Sequence, residues 1–150
     1  MRIDFVNWED PDGSALRARQ RAEIAERYGT PDSEPGTPPT ASDIAVFALA
    51  RAADGTAVAC GGLRDLGEGE GGEVKRMYVL PEHRGSGAAA HLLLALEEWA
   101  LERGWKRLRL ETGDRQPDAV RFYTKAGYEP VEPFGAYADA PSSLCFGKVL

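Results

Sequence analysis

Residues 73–112 read as strand, turn, helix, strand, and that order constrains the fold more than any other feature of the chain. Glu73–Leu80 is an apolar-rich run of strand type. Residues 87–103 place Leu92, Leu93, Leu96, Trp99 and Ala100 on one helical face, and Lys106–Thr112 is strand-like again. Two strands of one sheet joined by a crossover helix are parallel and right-handed. At 1.5 Å per residue the helix is ~25 Å long, enough to cover the pair. Gly104 predicts its C-terminal cap.

The flanking segments make the rest of the sheet antiparallel. Ile44–Ala52 and Thr56–Leu63 are strand-like runs joined by Ala53-Asp54-Gly55, a hairpin signal. Ile3–Trp8 alternates as a strand does. Asp12-Gly13-Ser14 predicts a helix start, Leu16–Tyr28 continues it, and Gly29 stops it. Residues 30–42 hold four prolines and no apolar period, which predicts a long loop. Pro117–Ala126 reads as a helix ended by Gly127, and Tyr128–Val131 and Leu144–Val149 read as strands. The order β-α-β-β-β-α-β-α-β-β predicts an α+β fold, a mixed and mostly antiparallel sheet flanked by helices around a central parallel βαβ unit. With 150 residues, a single domain over 1–150 is expected.

Composition excludes several functions. The formal net charge is -6, which argues against sequence-independent nucleic-acid binding. Cys60 and Cys145 are the only cysteines; both lie in apolar runs without zinc-type spacing, so buried thiols and no metal are expected. The acidic start MRIDFVNWED does not read as a leader, and no apolar run reaches the ~20 residues of a membrane span. The expected compartment is a reducing cytoplasm, with no membrane partner.

The turn before the second helix carries the chemistry. Arg84, Gly85, Ser86, Gly87, Ala88 and Ala89 combine one fixed cation with two glycines and three small residues. Bare N–H groups and the positive end of the dipole make a helix N-terminus attractive to phosphate, and small residues let the phosphate approach. Only Ser86 could act as a cap. The stretch also fits GxGxxA (Gly85, Gly87, Ala90) with Glu111 downstream, a dinucleotide fingerprint. Against that reading, Pro81–Arg84 separate strand from glycine, and the chain lacks room for further βα units. A Walker A loop is excluded because no GK[ST] follows.

These residues resemble the (Q/R)-x-x-G-x-(G/A) motif of the GCN5-related N-acetyltransferase (GNAT) family. "EVKRMYVLPEHRGSG" is similar to that family's fourth strand and loop, and "RQPDAVRFYTKAGYEP" to its N-x-x-A-x-x-(F/L)-Y-x-x-x-G-(F/Y) segment. The resemblance implies that Arg84–Ala89 bind the pyrophosphate of acetyl-CoA, the cosubstrate. It implies that the backbone of Met77, Tyr78 and Val79 pairs with the pantetheine arm, and that a bulge there turns one amide toward the acetyl oxygen. Gln116 stands where the family commonly has Asn. The resemblance makes Tyr123 the acid that protonates the departing thiolate, a role its ordinary pKa of about 10 suits. Glu73 is the first choice for a base working through water, and Glu111 is the alternative; His83 and His91 read as surface residues. The implied activity is acetyl transfer to a primary amine of a small molecule or peptide, with a homodimer as a possible assembly. A CoA-binding regulatory domain without turnover is the other reading. Acceptor contacts are expected from 28–42 and 133–144, including Tyr28 and Tyr137.

Overall fold

The computed structural model describes residues 1–150. Its strands are β1 (Arg2–Val6), β2 (Ile44–Arg51), β3 (Ala57–Asp65), β4 (Gly72–Val79), β5 (Arg107–Gly113), β6 (Glu129–Pro130) and β7 (Ser143–Val149). The α-helices are α1 (Pro11–Tyr28), α2 (Ala88–Glu102) and α3 (Pro117–Lys125). The seven strands form one sheet in the order β1-β2-β3-β4-β5-β7-β6, in which only β4 and β5 are parallel. The mixed sheet and its central βαβ unit are those expected from the sequence.

Each face of the sheet has its own cover. Leu92, Leu93, Leu96 and Ala100 of α2 pack with Ala48, Val58, Leu63, Leu108 and Leu110, and Tyr123 of α3 joins the same cluster. Burying each of these leucines is worth about 1.5–3 kcal/mol, which fixes α2 on the sheet. On the opposite face, Leu16 of α1 meets Phe47, Leu49, Cys60, Tyr78 and Leu80. Both cysteines are free and buried, and burial raises the Cys60 thiol to about 12. No helix is long and apolar enough to cross a membrane.

Two of the boundaries that differ from the sequence reading have a local cause. Helix α1 begins at Pro11, because Asp10 Oδ1 accepts hydrogen bonds from the N–H groups of Asp12 and Gly13 at 2.9 and 3.1 Å. Asp10-Pro11 is thus the start signal, a capping carboxylate followed by a proline whose missing N–H costs nothing there. The strand expected over 128–131 shrinks to Glu129–Pro130, because Tyr128 turns into the core.

The central pair opens a gap. Strand β4 pairs with β5 only at Gly72↔Leu108 and Glu73↔Arg109, while its pairing with β3 continues to Val79. Between Cys60↔Tyr78 and Gly62↔Lys75, β4 carries one residue more than β3. Arg76, with φ 57°, is the one non-glycine residue in the left-handed region. An extra residue on one strand bends it away from its neighbour. Beyond Glu73, β4 therefore leaves β5 and exposes an edge.

Candidate active site

The exposed edge of β4 leads to the small-residue turn. Leu80 N–H donates to Val58 O at 2.9 Å, so the backbone groups of Leu80 and Tyr78 face β3, and strand alternation sends those of Met77 and Val79 into the gap. Of the three residues expected to pair with a cofactor arm, Met77 and Val79 thus face the gap and Tyr78 does not. Two polar side chains serve this edge: Gln20 Nε2 donates to Met77 O at 2.9 Å, and Arg84 Nε donates to Val79 O at 3.1 Å.

The turn has the bare character expected of it. Gly87 is the N-cap of α2 with φ 87°, no side chain caps the helix there, and its first turn holds no acidic residue. Ser86, one position outside, accepts a 3.3 Å bond from Ala88 N–H. Gly85 also has positive φ, 81°, so the two glycines let the chain enter the helix through a turn that other residues resist. Arg84 is the fixed cation of the turn and is paired: its Nη2 donates to Glu23 Oε2 at 2.8 Å, and that bond raises its pKa further.

A cavity of about 160 Å³ lies where β4 and β5 separate. It is lined by Gln20, Tyr28, Glu34, Lys75, Arg76, Met77, Glu111, Gln116 and Tyr123 among others. Tyr28 enters it because Gly113 has no side chain; a Cβ there would lie 2.1 Å from the tyrosine oxygen. Tyr123 is buried, with its ring edge-on to Phe122 and Tyr128 at 5.0 and 5.7 Å. Burial alone raises its pKa well above the ordinary phenol value. Gln116, the residue before α3, also lines the cavity.

The two candidate bases are placed differently. Strands β4 and β5 are parallel, so Glu73 near the start of one and Glu111 near the end of the other sit at different depths. Glu111 lines the cavity and accepts a hydrogen bond from Ser143 Oγ. Burial raises its pKa; the Ser143 bond opposes this, and the charge of Glu34 adds to it. Glu73 is only 2% exposed and does not line the cavity. The Tyr137 hydroxyl is 2.5 Å from Glu73 Oε2, Lys75 Nζ is 3.5 Å from the same oxygen, and Arg64 Nη1 is 3.7 Å from Oε1. The structure thus brings Glu111, not Glu73, to the cavity with Tyr123. The covering segment at 135–139, a 3₁₀ turn carrying Tyr137, closes over Glu73. His83 is partly exposed and His91 exposed, and His91 Nδ1 is 2.9 Å from Gly87 O.

Sequence reasoning missed Lys75, Arg76 and Glu34. Lys75 is 5% exposed; its ammonium donates to Glu34 Oε1 and, at 3.1 Å, to the Tyr137 hydroxyl. Arg76 Nη1 donates to Glu34 Oε2 at 3.0 Å. For Glu34 burial is the largest influence and pushes the pKa up, but Lys75, Arg76 and Tyr137 outweigh it and hold the carboxyl below its usual range. A signal was present: Glu73 and Lys75 alternate with Val74 in a central strand, where charges on a covered face need partners. No group of three or more His, Cys, Asp or Glu side chains could hold a metal.

A mixed sheet whose parallel strands part beside an uncapped helix defines an acyl-CoA N-acyltransferase fold. The crystal structure of a Klebsiella pneumoniae protein assigned to that class superposes with a TM-score of 0.83 at 34% identity, covering 99% of this chain and 97% of that one. The profile of the Acetyltransferase (GNAT) family matches residues 6–128, and the chain belongs to that family. An IAA acetyltransferase of Azospirillum brasilense is 41% identical over 104 residues, 69% of this chain and 67% of that protein. An N-acetyltransferase of Bacillus subtilis, YsnE, is 36% identical over 61% of this chain, which spans 61% of that relative's length. The PaiA N-acetyltransferase of Thermoplasma acidophilum, solved with coenzyme A, shares the fold at TM-score 0.72 and 19% identity, with full coverage of both chains. The dinucleotide reading falls with this assignment, since the sheet is not doubly wound.

Proposed function

We propose that the chain transfers an acetyl group from acetyl-CoA to the primary amine of a small molecule or peptide by direct attack on the thioester. The observation that carries this reading is the open edge of β4, which runs from the uncapped turn at Arg84–Ala89 to the cavity holding Glu111 and Tyr123. Acetyl-CoA supplies an activated acyl thioester, and the residues present fit it. Phosphate oxygens suit the N–H groups of Gly87 and Ala89, and that of Ala88 in place of its long bond to Ser86 Oγ, while the gap at Met77 and Val79 accepts an extended polar arm as a strand edge does. Gln116 offers an amide beside the same cavity. The substrates and partners of the neighbouring proteins accord with this reading: the PaiA structure holds coenzyme A, and a relative in Salmonella typhimurium is named an aminoalkylphosphonate N-acetyltransferase.

The chain's own groups then divide the proton work. Glu111, held above the ordinary carboxylate range by burial, takes the ammonium proton of the acceptor, directly or through water. An amide at the β4 bulge faces the acyl oxygen and stabilises negative charge there. Tyr123 faces the departing sulfur as hydrogen-bond donor and acid.

Cofactor binding is tested at Ser86. Glycine 87 is a poor site for substitution, because its φ of 87° strains any side chain whether or not ligand binds. Ser86 lies outside the positive-φ positions and is exposed. Ser86→Asp sets a carboxylate at the helix N-terminus, which favours the helix and competes with phosphate. The expected result is a Kd for acetyl-CoA raised by about 10- to 100-fold with the apo melting temperature unchanged or higher. Unchanged affinity in calorimetric titration would remove the phosphate role of the turn.

A further inference from the structure

Lys75 and Arg76 are consecutive residues of a strand, yet both line the same cavity. In a regular strand they would point to opposite faces. The extra residue in β4 and the left-handed backbone of Arg76 bring the two cations side by side. The bulge that parts β4 from β5 thus also doubles the positive charge lining the cavity.

The chain itself shows what fits there. Glu34 places one carboxylate oxygen on Lys75 and the other on Arg76. Its segment, residues 30–42, has no helix or strand between α1 and β2. A few side-chain bonds hold that segment: Glu34 to the two cations and Tyr137, Arg21 to Asp32 at 3.2 Å, and Arg64 Nη2 to Thr37 O at 2.9 Å. Glu73 Oε2 lies 3.5 Å from Lys75 Nζ and also accepts from the Tyr137 hydroxyl, with Arg64 beside Oε1, so Lys75 keeps a second acid. Arg76 makes its only ion pair with Glu34. Buried cations keep an anion beside them at all times. For Arg76 that anion is therefore either Glu34 or a group that replaces it.

We propose that Lys75 and Arg76 form a carboxylate subsite for the acceptor, filled by Glu34 until an amine bearing its own carboxylate displaces it. This rests on the acetyl-transfer reading of the same cavity and names the acceptor class as amino acids. Opposite ends of one zwitterion match opposite charges of one cavity: the ammonium meets Glu111, and the carboxylate meets the paired cations. Displacement exchanges one carboxylate for another, so the buried charges stay balanced throughout.

The test compares amino acids with their carboxamides as acceptors, and titrates glutarate, a carboxylate probe, against the apo protein. Wild type is expected to prefer the carboxylate in kcat/KM, and Arg76→Gln to cut that preference by about 10-fold or more, the worth of one charge-assisted bond. Glu34→Gln keeps the loop's shape and removes the competitor. It should tighten glutarate binding by about 3- to 10-fold and lower KM for the carboxylate acceptor, leaving the carboxamide unchanged. Equal use of carboxylate and carboxamide by wild type and both variants, with glutarate indifferent to them, would overturn the subsite and leave acetyl transfer standing. Glutarate binding that is lost in Arg76→Gln and enhanced in Glu34→Gln, without acetylation of any amine, would uphold the subsite and overturn acetyl transfer.

Discussion

Replacing Tyr123 with Phe is expected to lower kcat by about 10²- to 10⁴-fold while acetyl-CoA affinity stays near wild type. The ring is held from two sides by Phe122 and Tyr128, and Phe preserves both contacts. No hydrogen bond contributes to the hydroxyl's raised pKa, so its removal leaves no protein group unpaired. Stability should therefore change by less than about 1 kcal/mol. The raised pKa also refines the role. A phenol less acidic than usual gives its proton to a thiolate only when the thiolate is desolvated beside it. The first contribution is thus a hydrogen bond to sulfur as charge develops, with proton transfer following. Turnover at the wild-type rate would return Tyr123 to core packing.

Glu111→Gln is expected to lower kcat/KM by about 10²-fold or more and to erase the acidic limb of the pH profile. The sign follows from the pKa. A base must be deprotonated to act, so activity rises with pH through the Glu111 value. Burial holds that value above the ordinary carboxylate range, so the limb lies on the alkaline side of that range. Glu73→Gln should behave differently. It alters a buried charge held by Tyr137, Lys75 and Arg64, and breaking such a partnership costs about 3–5 kcal/mol of stability. The surviving folded enzyme should retain the limb. A limb lost in Glu73→Gln and kept in Glu111→Gln would reverse the assignment.

The contrast between these two glutamates shows where the sequence is legible. Strands, helices and the parallel crossover follow from apolar period and glycine punctuation, which act over a few neighbouring residues. The turn at Arg84–Ala89 was visible for the same reason, since its bareness is a local property. The cover over Glu73 is not legible, because it comes from Tyr137, distant in sequence, in a segment with no apolar rhythm. The pairing of Arg84 is not legible either, because its partner Glu23 lies far away in sequence on α1. The start of α1 was the local exception: Asp10 was available as a cap, but Asp12-Gly13-Ser14 competed for the same reading. Lys75 and Arg76 share a cavity only because of a bulge, and a bulge depends on the register of two strands.

The central claim is that this chain joins a thioester site to an amine site. Its most direct measurement is release of free CoA thiol from acetyl-CoA across a panel of primary amines, with mass spectrometry of the amine product. The expected result is thiol and N-acetylated amine formed in equal amounts, dependent on the amine and suppressed in Tyr123→Phe. Saturable acetyl-CoA binding with no thiol released by any amine would contradict that claim and make the chain a CoA-binding domain without turnover.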